Sequence, residues 1–180
     1  MSLRLFCSAL CGALLAGGAV HATEPAHAAI LFENVRIFDG KGSALSAPSS
    51  VLVEGSLITR ISQGGIKVEG EVQRIDGQGK TLMPGLIDAH THLMFATLPQ
   101  IAVLTNDVTF TTVAATRAAN DMLMRGFTSA RDLGGPVFGL KKGIDMGLIN
   151  GPRIWPAGAM ISQSGGHGDF RLPNELPALA

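Results

Sequence analysis

Two histidines, His90 and His92, stand two residues apart at the end of an apolar run, residues 84–93 (PGLIDAHTHL). In an extended chain, residues i and i+2 point to the same face, so this spacing predicts two imidazoles projecting side by side from one strand end. Neutral imidazole nitrogen is a natural ligand for zinc and similar divalent ions, and one strand can supply half of a metal site in this way. Asp88 lies two residues earlier on the same face. It is placed to act as an acceptor behind the ligands, fixing a ring orientation. His167 is the third candidate, in a loop where Gly165, Gly166 and Gly168 allow backbone to approach a ligand closely. It reads either as a contact to a substrate carbonyl or carboxylate or as a solvent-exposed loop histidine. Of the five histidines, only His21 and His27 lie elsewhere, near the chain start.

The surrounding pattern supplies elements that could position these groups. Residues 86–93 read as a buried strand, residues 107–125 as an Ala-rich helix stopped by Gly126, and residues 127–133 as the next strand. Residues 137–148 read as a short glycine-weakened helix, and residues 153–162 as a third strand bent at Pro156. Strands alternating with helices argue for parallel βαβ units, whose sites lie at the C-terminal strand ends. Before Pro84 the pattern is β-rich. Residues 30–38 and 72–75 read as strands, and residues 50–53 and 57–61 flank Glu54-Gly55-Ser56 as a hairpin. Strands at this spacing suggest a small sandwich or partial barrel, too short to stand as an independent two-sheet domain.

Several further residues admit a structural reading. Arg131 and Asp132 read as an ion pair or a contact to the Gly134-Gly135 turn, and Asp169 and Arg171 as charges that order the His167 loop. Met94 and Phe95 could line a pocket or pack in the core. Trp155, the one tryptophan, is expected against a helix on the outside of the strands.

The chain is 46% hydrophobic and 16% charged, which suits a protein with a buried core rather than a disordered one. Its formal net charge of zero gives no argument for nucleic acid or an anionic membrane as partner. Arg4 followed by apolar residues 5–16 and small residues reads as a signal peptide over residues 1–22, cleaved after Ala22 or alternatively Ala28. The apolar run is too short to span a bilayer comfortably, so no stable anchor is expected after cleavage. Leu10 is too large for the small residue that precedes a lipidated cysteine, which argues against a lipoprotein at Cys11. Cys7 and Cys11 are the only cysteines, so a mature chain would have no disulfide or thiol chemistry. The expected location is periplasmic or secreted.

Residues 82–93 (LMPGLIDAHTHL), 126–135 (GFTSARDLGG) and 151–153 (GPR) through 165–169 (GGHGD) resemble the amidohydrolase superfamily. The likeness is to the branch of imidazolonepropionase and of metal-dependent dipeptidases acting on Xaa-Pro, Xaa-Arg or Xaa-Lys. It implies an α/β chain that forms the first three βα units of a (β/α)8 TIM-type barrel over residues 84–180, preceded by part of a small β-sandwich over residues 30–83. It implies one or two divalent metals, zinc by preference, with His90 and His92 as first-strand ligands. The family's lysine, further histidines and general-base aspartate have no matching positions here, so no catalytic acid or base is assigned. A full barrel takes about 250 residues, and the chain is expected to be a truncated piece, inactive alone.

The implied activity is hydrolysis of C–N bonds in small amides, dipeptides or N-acyl amino acids by metal-activated water. A homo-oligomer is left open. The alternative is a non-catalytic exported binding or structural module derived from a truncated amidohydrolase.

Overall fold

The computed structural model describes residues 29–171. The expected signal peptide and its cleavage sites lie outside the described residues, as does the end of the expected barrel segment beyond residue 171. No helix among the described residues is long and apolar enough to cross a membrane.

The chain divides into two compact units, one of residues up to 38 with 44–82, the other of residues 39–43 with those from 83 onward. The first unit is a mixed sheet of β1 (Ala29–Ile37), β2 (Ser49–Glu54), β3 (Leu57–Ser62), β4 (Val72–Asp76) and β5 (Thr81–Leu82). The order is β3-β2-β1-β4, with β5 also pairing β1. The predicted hairpin is present: β2 and β3 run antiparallel, and the turn closes on Gly55. In β1, Asn34 adopts φ 53° where the pairing with β2 slips between Phe32 and Val35, the mark of a bulge. Leu31, Leu52 and Ile66 form the unit's small core, backed by Ala29, Val68 and Val72. β5 is too short to leave a periodic signal, so sequence reasoning missed it.

The second unit follows the βαβ pattern. Parallel strands β6 (Leu86–Thr91), β7 (Phe127–Asp132) and β8 (Arg153–Pro156) stand in the order β6-β7-β8. Between them run α1 (Gln100–Thr105), α2 (Val108–Met124) and α3 (Phe138–Asp145). Asp107 caps α2 by accepting from the Phe110 N–H at 3.0 Å. Gly126, at φ 93°, turns the chain out of the helix in a conformation L-residues avoid. Thr111, Ala115, Ala118, Ala119 and Met122 bury one stripe of α2 at helical spacing. They pack with Ala130 of β7, Leu140 of α3 and Ile154 of β8 into a single core that also takes Leu93, Met94 and Val137.

Four expectations need correcting. The run 86–93 is not a buried strand throughout: Leu86 and Ile87 are exposed, and burial begins only at Leu93 and Met94. The reason is position, because β6 ends the sheet with β7 as its one strand neighbour among the described residues. The third strand stops at Pro156, not residue 162, where its partner β7 also ends at Asp132, and the last bond between them runs from the Ala157 N–H to the Asp132 carbonyl at 2.8 Å. Trp155 is half exposed, at 52%, while Ile154 before it on the strand joins the core with α2 and α3. The short helix α1 was not foreseen. It follows Pro99 and buries none of its residues, so it shows no amphipathic period.

Candidate functional site

The site is built where the three parallel strands end. His90 lies in β6, and His92 follows the strand's last residue, Thr91. Their rings stand edge to face with centroids 5.3 Å apart, so the predicted side-by-side projection is present. His90 is exposed and His92 half-buried, which leaves both rings open to a ligand. His92 Nδ1 lies 3.5 Å from the Gly134 carbonyl oxygen, a contact at the long limit of a hydrogen bond. Phe95 stacks beside the same ring, centroids 6.1 Å apart.

Asp88 Oδ1 accepts from the backbone N–H of His90 at 3.0 Å. Through this bond it fixes the main chain that carries His90, where the sequence had suggested a hold on a ring. His167 lies exposed in the loop after β8. Asp169 orders that loop as expected: its carboxylate accepts from the Gly165 N–H at 2.8 Å and from Arg171 Nε at 2.7 Å. The Arg171 guanidinium beside it holds the Asp169 carboxyl well below the usual carboxylate range, helped by the Gly165 N–H.

Sequence reasoning undervalued Asp132, which is fully buried. Its Oδ2 accepts from the Leu93 N–H at 2.7 Å and its Oδ1 from the Gly134 N–H at 3.2 Å. The turn contact to Gly134 was foreseen; the reach across 39 residues to Leu93 was not, because no local spacing reports it. Burial pushes the Asp132 carboxyl up from its ordinary range, against the opposing pull of the two N–H groups and of His92. Arg131 Nε donates to the Ala89 carbonyl at 2.7 Å.

Next to the histidines lies an apolar pocket of about 530 Å³, lined among others by Phe95, Gly135, Phe138, Gly158, Met160 and Phe170. Gly135 needs φ 113°, and a Cβ there would meet Phe95 Cζ at 3.1 Å. Of the pair the sequence singled out, Met94 is core and Phe95 lines the pocket.

The donor chemistry suits a divalent ion. Two neutral imidazoles at one strand end are two of the four donors that a tetrahedral zinc takes. No group of three His, Cys, Asp or Glu side chains arranged to hold a metal occurs among the described residues. His167 therefore does not join His90 and His92 in a three-donor cluster.

Comparison with known proteins gives the family of the chain. The profile of the amidohydrolase family matches residues 81–177. Ochratoxinase from Aspergillus niger is 38% identical over 96 residues, 51% of this chain and 20% of that protein. A solved prolidase complexed with N-methylphosphonate-L-proline superposes with a TM-score of 0.73 at 34% identity, covering 83% of this chain and 36% of its own. A Xaa-Pro dipeptidase with methionine bound in its active site gives 0.71 at 26% identity, covering 84% and 39%. The chain thus spans about a fifth of the length of the curated relatives it matches.

Proposed function

This chain belongs to the amidohydrolase family, and on that premise we propose that the whole protein is an exported metal-dependent hydrolase of C–N bonds in small amides. The observation that carries the reading is the pair His90 and His92, rings 5.3 Å apart at the end of the first parallel strand. These two residues would hold a divalent ion, zinc by preference, as one or two ions. When bound, such an ion lowers the pKa of water and polarises a carbonyl.

The chain's own residues bind and orient. Asp88 steadies the His90 backbone. The apolar pocket beside Phe95 suits an uncharged side chain and keeps water from it. His167, on its glycine-rich loop, contacts the substrate's carbonyl or carboxylate. Dipeptides and N-acyl amino acids fit this combination of a histidine pair and an apolar pocket. We read the second unit as the opening βα units of a (β/α)8 barrel and the first as part of a small β-sandwich. The proton-transferring carboxylate is not assigned to any residue of this chain.

The test is the full-length gene product, purified for metal analysis and assayed against a panel of dipeptides and N-acyl amino acids. It is expected to carry a divalent ion and to hydrolyse members of the panel. Replacing His90 and His92 together with alanine is expected to remove both ion and turnover. A product that purifies without metal and keeps its turnover in the double variant overturns the reading.

A further inference from the structure

Residues 89, 91 and 93 alternate with the two histidines, and each is held by the end of β7. Arg131 Nε donates to the Ala89 carbonyl at 2.7 Å. The Leu133 N–H donates to the Thr91 carbonyl at 3.0 Å. Asp132 Oδ2 accepts from the Leu93 N–H at 2.7 Å. The ladder between these strands is irregular here, with a register shift between Asp88 and Thr91. Side chains therefore take over where regular pairing lapses.

From this arrangement we propose that Asp132, assisted by Arg131, is a positioning residue for the metal ligands. Asp132 fixes the main chain just after His92 and Arg131 fixes it just before His90, so that the two rings stay side by side without a metal to hold them. The argument rests on the metal reading above.

Asp132 is suited to this task and not merely to core packing. A buried carboxylate is an expensive way to fill space. Its two oxygens serve two different backbone donors, one just past His92 and one in Gly134, whose carbonyl faces His92 Nδ1. One side chain thus ties the ligand strand to the turn that supports a ligand ring. Asparagine has the same shape but only one acceptor oxygen, and its amide would direct N–H groups at an N–H.

The experiment measures zinc affinity of the full-length gene product by competition with a chromophoric chelator, for the parent, Asp132→Asn, Leu140→Ala and the double alanine variant of His90 and His92. Hydrogen exchange at the Leu93 amide is followed in parallel. Outer partners of metal ligands typically change affinity by about 10–100-fold. Asp132→Asn is therefore expected to weaken zinc by about that factor, with faster Leu93 exchange. Leu140→Ala, which loosens the same core away from the ligands, is expected to stay within about twofold of the parent.

Unchanged affinity in Asp132→Asn overturns the proposal and leaves the metal reading standing. An equal loss in Leu140→Ala marks the effect as general loosening and also overturns it. No zinc binding by the parent overturns both the proposal and the metal reading. If Asp132→Asn does not fold, Arg131→Met decides. Arg131 is exposed, and its loss is expected to weaken zinc by about threefold or more; parent-like affinity there overturns the proposal.

Discussion

At the scale of single residues, four aspartates that bear on the site or its elements hold backbone N–H groups. Asp88, Asp107, Asp132 and Asp169 each accept from a main-chain donor. Their titration differs with surroundings. Asp169 is lowered from its ordinary value of 3.8 by Arg171 and the Gly165 N–H. A carboxyl that is more acidic in the folded state contributes stability above the unfolded pKa, and that contribution fades as pH falls through the folded value. The His167 loop should therefore keep its Asp169 contacts at pH values where ordinary aspartates are already protonated. Carboxyl carbon NMR is expected to give a midpoint well under 3.8, and Arg171→Gln is expected to raise it. A midpoint unmoved by that substitution would remove Arg171 as the main cause.

At the scale of elements, α2 shows how local chemistry sets boundaries. Asp107→Ala removes the acceptor for the Phe110 N–H, so that amide is expected to exchange faster while the helix centre keeps its protection. Gly126→Ala forces a side chain into φ 93° and is expected to destabilise by about 1 kcal/mol or more, read from denaturant unfolding. These two boundaries were legible in the sequence because cap and stop residues act within one turn. The parallel strands were legible too, from the alternation of strand and helix segments rather than from apolar runs, since β7 reads FTSARD and β8 RIWP. What was not legible depends on distance along the chain. Asp132 finds Leu93 only after folding, and the exposure of Ile87 goes with β6 having one strand partner among the described residues rather than with its own composition. The candidate site divides the same way. His90 and His92 announced themselves by spacing, whereas the Phe95–Phe170 contact, centroids 6.2 Å apart, joins segments no local pattern connects.

At the scale of the whole molecule, stability of the second unit rests on one core that spans α2, α3 and all three strand ends. Leu140, fully buried in it, is the place to test that dependence. Leu140→Ala is expected to cost about 2–5 kcal/mol, the range for deleting a buried leucine side chain. Equilibrium unfolding in urea would check this, and a loss under 1 kcal/mol would mean the core closes around the gap. The same core includes Leu93 and Met94 directly after His92, so the segment that follows β6 is tied to it.

Trp155 has an optical consequence. With one tryptophan and no tyrosine in the sequence, tryptophan emission on excitation near 295 nm comes from a single point on β8, and that point is half open to water. The spectrum should be red-shifted and readily quenched by iodide. Any chain segment that lies against this sheet edge would shift the emission to the blue and shield it, so the indole reports, without a label, whether the edge is covered.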